Sequence, residues 1–143
     1  MTPTTALERL HRIAHRHWAA QASAAGLTHS EFEYLRAIKD QERRKVDKND
    51  HGQHLQDVVA AMGVSKASAS AMVVKLEERG LVRRVPCLMD ARAQHILLTD
   101  EGASLLRRGE EIYRGALRQV FDGLDGYDLA AFRQALRDLA DLP

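Results

Sequence analysis

Apolar residues recur along this chain at two different periods, and the change of period divides it. Leu7, Leu10, Ala14, Trp18 and Ala22 form one helical stripe with Ile13 beside it, which predicts a helix over Thr4–Ala24 that stops at Gly26. Thr28-His29-Ser30-Glu31 reads as a capping box, with Thr28 accepting from and Glu31 returning to the backbone. The helix that follows turns Phe32, Leu35 and Ile38 inward. Asp40–Gln53 then carries one apolar residue, Val46, and reads as a solvated loop or a frayed helix extension. Leu55, Val58, Val59 and Met62 define a short amphipathic helix, which Gly63 stops. Ser65 caps the next helix, whose inner face is Ala69, Met72, Val73 and Leu76 and whose end is Gly80.

After Gly80 the pattern shortens. Leu81, Val82 and Val85 read as a strand and Ile96, Leu97 and Leu98 as its partner, with Pro86–Ala93 as the loop between them. Thr99 then caps a long helix to about Gly123, with Asp100 and Glu101 favourably placed at the positive end of its dipole. Leu105, Ile112, Tyr113, Ala116, Leu117, Val120, Phe121 and Leu124 recur along it at near-heptad spacing, and Gly109 and Gly115 admit a close approach or a bend. Asp125 opens a last helix with a stripe of Leu129, Phe132, Leu136 and Leu139. The fold class expected is mainly α with a small β-wing, a winged helix-turn-helix over about 28–102 flanked by helices at about 4–24 and 100–142, in one domain spanning 1–143. The apolar faces of the terminal helices are too extensive for lone helices in water, so they pack together within the chain or across a two-fold axis.

Charge supports a nucleic-acid reading of the central module. The net charge is only +1, but residues 65–98 carry six Lys/Arg against three Asp/Glu, whereas residues 99–143 carry six against nine. Small residues, Ala67, Ser68, Ser70 and Ala71, stand on the outer and flanking faces of the second helix beside Lys66 and Lys75, which allows close approach to a groove. A single cysteine, Cys87, excludes an intrachain disulfide and suits a reducing compartment. No apolar run is long enough to span a membrane and the first residues have no secretory pattern, so the chain is expected to be cytoplasmic. Neither a glycine-rich phosphate loop nor a nucleophile elbow is present, and an enzyme is not expected.

Ser65-Lys66-Ala67-Ser68-Ala69-Ser70, Leu76-Glu77-Glu78-Arg79-Gly80-Leu81-Val82-Arg83-Arg84, Asp90-Ala91-Arg92 and Leu98-Thr99-Asp100-Glu101-Gly102 together resemble the MarR family of winged-helix transcriptional regulators. The Asp-x-Arg followed at this distance by Leu-Thr-x-x-Gly is the most specific part, and chain length and helix order fit as well. The resemblance implies a homodimer that binds double-stranded DNA at a pseudo-palindromic operator, as a ligand-responsive repressor. It implies that the terminal helices form the dimer interface and that Lys66–Arg79 is the recognition helix. Arg92 would reach the minor groove, with Asp90 fixing its position. Phosphates would be met by Lys66, Lys75, Arg83 and Arg84, and base edges by Ala67, Ser68 and Ser70 beyond the Ser65 cap. Many members carry Arg where this chain has Ala71, and the wing here is apolar at Pro86, Cys87, Leu88 and Met89, with Ala93 where a second base is common. Those departures keep open an alternative: a dimeric effector-binding or protein-interaction module with weakened sequence-specific readout.

The family also implies a pocket for a small aromatic or phenolic ligand, for which His11, His15, Trp18, Phe32, Arg36 and Tyr113 are the candidate walls. Some members sense zinc, but no ligand pattern maps onto this chain. His11 and His15 are four apart on one helix face and His51 and His54 form a second pair; nothing in the sequence joins the pairs, so no metal and no cofactor are expected. Cys87 reads as a buried thiol at a strand end. Arg43, Arg44, Lys45 and Lys48 could contact phosphates from the 40–53 loop, although a solvated loop explains them as well.

Overall fold

Hydrogen-bonding side chains mark where helices start and stop in this chain. The computed structural model describes residues 2–43, 54–87 and 93–142. The elements in order are α1 (Pro3–Ala25), α2 (His29–Arg43), α3 (Leu55–Met62), α4 (Lys66–Glu78), β1 (Val82–Pro86), β2 (Gln94–Leu98), α5 (Asp100–Asp122) and α6 (Gly126–Ala140). Thr28 and Glu31 form the expected reciprocal box: the Glu31 N–H donates to Thr28 Oγ1 at 3.1 Å and the Thr28 N–H to Glu31 Oε1 at 3.0 Å. Ser65 Oγ accepts from the Ser68 N–H at 3.1 Å, and Asp125 Oδ1 from the Asp128 N–H at 3.4 Å.

The chain divides into two compact units, 1–21 with 111–143, and 22–110. Helices α1 and α5 each run through both units. The 22–110 unit is a winged helix. Its α3 and α4 are bent by 114° at the turn through Gly63, within the range for a helix-turn-helix. Gly63 adopts φ +64, a left-handed conformation that a Cβ disfavours, and its N–H closes α3 on the Val59 carbonyl at 2.9 Å. The core of this unit is Leu35, Ile38, Val58, Ala69, Val73, Leu76, Leu81 and Ile96, all essentially inaccessible. Among the described residues no single helix is long and apolar enough to cross a membrane.

The exit from α4 is a Schellman motif. The Gly80 N–H (φ +72) donates to the Glu77 carbonyl and the Leu81 N–H to that of Leu76, both at 2.9 Å, with Leu76 and Leu81 buried. Leu81 therefore belongs to this cap, and the strand begins at Val82, one residue later than the apolar pattern suggests. Strands β1 and β2 are antiparallel, with Val82 opposite Leu98 and Val85 opposite His95. Beyond β1 the hairpin closes through the Cys87 N–H on the Ala93 carbonyl at 3.1 Å.

Helix α2 extends to Arg43, so of the two readings of the polar stretch, solvated loop or helix extension, residues 40–43 take the helical one. Within this extension Glu42 Oε1 accepts the Leu98 N–H at 3.0 Å and thereby satisfies an amide of β2. The rest of that stretch, with Arg44, Lys45, Lys48 and His51, lies outside the described residues.

In the 1–21/111–143 unit, Trp18, Ile112 and Ala116 are buried. His17 and Gln119 hydrogen-bond at 2.7 Å. The apolar stripes read along these helices are only partly covered: Leu7, Tyr113, Leu117 and Leu139 are exposed, as are Tyr127 and Leu142 outside the stripes, and α6 has no buried residue.

Candidate nucleic-acid interface

Helix α4 presents its polar and small residues outward. Ala69, Val73 and Leu76 are buried, whereas Lys66, Ala67, Ser68, Ala71 and Lys75 are exposed and Ser70 is half-buried. The Ser65 hydroxyl is doubly engaged, accepting the Ser68 N–H and donating to Ser68 Oγ at 2.9 Å. This fixes the first turn, which in a helix-turn-helix lies nearest the bases.

The two arginines of β1 separate, as neighbours on a strand must. Arg83 is exposed. Arg84 turns to the opposite face, half-buried, with its Nε 3.6 Å from Glu77 Oε2. The sequence treats them as equivalent phosphate contacts, but only Arg83 stands in the open. Asp90 and Arg92 lie outside the described residues.

Behind α4, Arg79 ties the helix end to the start of α2. Its guanidinium pairs with Glu31 and also donates to the Gly26 carbonyl at 2.6 Å. The Glu31 carboxylate is almost wholly buried. Burial alone would raise its pKa, but the Thr28 N–H and hydroxyl and the Arg79 guanidinium outweigh that and hold it below its ordinary value. Arg79 sits in the motif read from sequence, yet no local spacing discloses a partner 48 positions away.

Thr99 and Gly102 have equally definite roles. The Thr99 hydroxyl donates to the Gly80 carbonyl at 2.6 Å and accepts the Gly102 N–H at 3.1 Å, while the Thr99 N–H donates to the Leu81 carbonyl at 3.1 Å. The Leu-Thr-x-x-Gly pattern is therefore a lock between the exit of α4 and the first turn of α5.

The six candidate ligand-wall residues divide between the units. Phe32 and Arg36 belong to the winged helix. There the Arg36 guanidinium bonds Glu110 Oε1 at 2.8 Å and lies 5.8 Å from the centre of the Phe32 ring. In this structure its charge is matched by Glu110. The other four, His11, His15, Trp18 and Tyr113, belong to the terminal-helix unit. Trp18 and Tyr113 have ring centres 6.0 Å apart, and the exposed His11 and His15 rings stack at 6.3 Å. A cleft in this unit, about 370 Å³, is lined by Arg9, Leu10, Ile13, Val120, Leu124 and Phe132 among others, and by none of the six.

One cluster escapes sequence reasoning altogether. His54, Cys87 and His95 bring their donor atoms within 4.8 Å of one another. Sequence spacing pairs His54 with His51 and leaves Cys87 alone; only the strand register and the docking of α3 unite the three.

A helix-turn-helix with a two-stranded wing, preceded and followed in sequence by further helices, defines the class: a winged-helix protein. Residues 25–93 match the family model described as MarR family. The HTH-type transcriptional regulator PetP of Rhodobacter capsulatus is 31% identical over 84 residues, a stretch covering 59% of this chain and 51% of PetP, so the match spans about half of that relative's length. Among solved structures, a mutant of MepR from S. aureus superposes with a TM-score of 0.76 at 16% identity, covering 98% of this chain and 97% of the other. BpsR of Bordetella bronchiseptica, whose DNA binding is described as regulated by 6-hydroxynicotinic acid, superposes with a TM-score of 0.65 at 22% identity over 99% and 95% of the two chains. Over residues 25–93 the chain is thus similar to the MarR family, and its fold is that of the solved winged-helix structures.

Proposed function

We propose that this chain is a DNA-binding transcriptional regulator, a homodimer on a pseudo-palindromic operator, acting as a repressor relieved by a small aromatic or phenolic ligand. The observation that carries this reading is the outward face of α4. A capped first turn with Ser68, Ala67 and two lysines is exposed on a helix whose opposite face anchors the core. Its shape suits a major groove, and its charge suits phosphates. The exposed apolar residues of the terminal-helix unit, Leu7, Tyr127, Leu139 and Leu142, support a second copy as their cover. PetP, as a transcriptional regulator, and BpsR, as a DNA binder answering to a small aromatic acid, support the same reading.

In this reading Lys66, Lys75 and Arg83 meet phosphates, Ser68 with Ala67 and Ser70 faces base edges, and Arg92 with Asp90 serves the wing. Arg84 braces β1 on Glu77 and contributes less to phosphate binding. Arg92→Ala is expected to weaken operator binding by about 1–3 kcal/mol. Selection of bound fragments from a genomic pool, followed by titration at fixed salt, supplies the operator and the affinities. Logarithmic affinity should fall linearly with logarithmic salt, and Arg83→Ala should make that slope shallower by about one. Failure to enrich any palindrome would count against the proposal and favour the effector-binding alternative, which the small side chain of Ala71 also supports.

A further inference from the structure

We propose that His54, Cys87 and His95 form a binding site for a thiophilic closed-shell metal ion, Zn²⁺ or Cu⁺, at the base of the wing. The chemistry of the three side chains is that of a metal centre. Two imidazoles and one thiol make a set that suits either ion. His54 and Cys87 are buried and His95 is half-buried, an interior that apolar residues would normally fill.

Backbone hydrogen bonds hold each donor in place. His54 is the N-cap of α3, extended at φ −80 and ψ 161, with its N–H donating to Asp57 Oδ2 at 2.9 Å. His95 lies opposite Val85 in the hairpin. Cys87, two residues beyond Val85, is diagonal to His95 on the same face and fixed through its N–H to Ala93. The imidazole centres of His54 and His95 are 4.8 Å apart. In a tetrahedral site, metal–nitrogen distances of about 2.0–2.1 Å and metal–sulfur of about 2.3 Å put the donors about 3.3–3.6 Å from one another. Separations of up to 4.8 Å here would therefore have to close by about 1.2–1.5 Å when an ion binds. Three protein donors leave a fourth position for water or an external ligand. The exposed His11–His15 pair, by contrast, has no third donor beside it among the described residues.

An ion here would join the N-terminus of α3 to both strands of the wing. It would clamp the hairpin that leads into the Asp90–Arg92 segment against the helix-turn-helix. The consequence for DNA rests on the regulator reading above; the metal site itself does not.

Cobalt(II) is the direct probe, because Cys87 is the only thiol in the chain. Titrating the full-length protein under reducing conditions should produce a sulfur-to-cobalt charge-transfer band. Zn²⁺ should abolish it stoichiometrically, and a competing chelator for Cu⁺ should report whether that ion binds more tightly. Cys87→Ser should remove the band. His54→Gln and His95→Gln should each lower Zn²⁺ affinity by more than about 100-fold, beyond what loss of a mere supporting group causes. A double variant, His11→Gln with His15→Gln, should bind as the parent does. Circular dichroism checks folding, and should a buried variant not fold, His95→Gln carries the test. Absence of the band at saturating Co²⁺, or a band indifferent to both His54→Gln and His95→Gln, overturns the site. Operator affinity is then measured with and without Zn²⁺. A change that His95→Gln removes supports the clamp, and intact metal binding with unchanged DNA affinity overturns the clamp alone.

Discussion

Gly102→Ala is expected to destabilise the chain by about 3 kcal/mol, read as a lower midpoint in urea unfolding with an unchanged slope. A Cβ at this position would stand 2.0 Å from the Leu81 carbonyl oxygen and 3.0 Å from its carbon. The obstacle is backbone and cannot rotate away. It is also pinned, since the Leu81 oxygen accepts the Thr99 N–H, the Leu81 N–H is committed to Leu76, and the Thr99 hydroxyl holds Gly80. Relief requires moving the first turn of α5 off the exit of α4. That combines overpacking, about 1–3 kcal/mol, with part of a helix cap, about 1 kcal/mol. Gly126, at the first position of α6, is the control, because a methyl group added there would meet nothing within 4 Å. Gly126→Ala should be neutral or stabilising by less than about 1 kcal/mol. Equal stability of Gly102→Ala and the parent would show that the lock between α4 and α5 yields freely.

The second large effect is electrostatic and depends on pH. Arg79→Met should cost about 2 kcal/mol at neutral pH, because it strands the buried Glu31 carboxylate. Arg79 is about a third exposed, so solvent screens part of its attraction, and the figure stays below that of a fully enclosed pair. The pKa of Glu31 is lowered in the folded chain relative to its ordinary 4.5. The carboxylate therefore contributes stability that is present above about pH 4.5 and is lost as pH falls through the lowered value. Without Arg79, part of what holds the pKa down is gone, and the group protonates more readily than in the parent. The difference between parent and variant should accordingly be largest near neutrality and close in acid. Adding Glu31→Gln to Arg79→Met should recover part of the loss, since a neutral amide needs no counter-charge. A pH-independent difference would refute the ion pair as its cause.

Local chemistry made much of this fold legible. Gly63, Ser65, Thr28 with Glu31, Asp125 and the cap that Thr99 places on Gly102 act within four residues of themselves, and the helix boundaries read from them fall within a residue or two of those observed. What the sequence conceals is pairing across distance. Glu42 looks like one more charge in a polar run until Leu98 supplies an amide for it to accept. Arg36 looks available until Glu110 occupies it. Arg83 and Arg84 look alike until the strand turns one of them onto Glu77. The assembly of His54, Cys87 and His95 needs both the hairpin register and the docking of α3, neither of which has a local period.

The doubly engaged Ser65 hydroxyl makes its neighbour directional. Ser65 directs its proton onto Ser68 Oγ, so an acceptor site of Ser68 is filled from inside the turn. If Ser68 faces base edges as proposed above, its own proton is available to an acceptor outside the turn. In a major groove such a hydroxyl prefers edges rich in acceptors, guanine N7 and O6, adenine N7 or thymine O4, over the amino groups of cytosine and adenine. A helix that looks chemically bland by composition thus carries a polarity in its first turn, and replacing a guanine in the operator by its 7-deaza analogue should cost binding energy only where Ser68 stands over it.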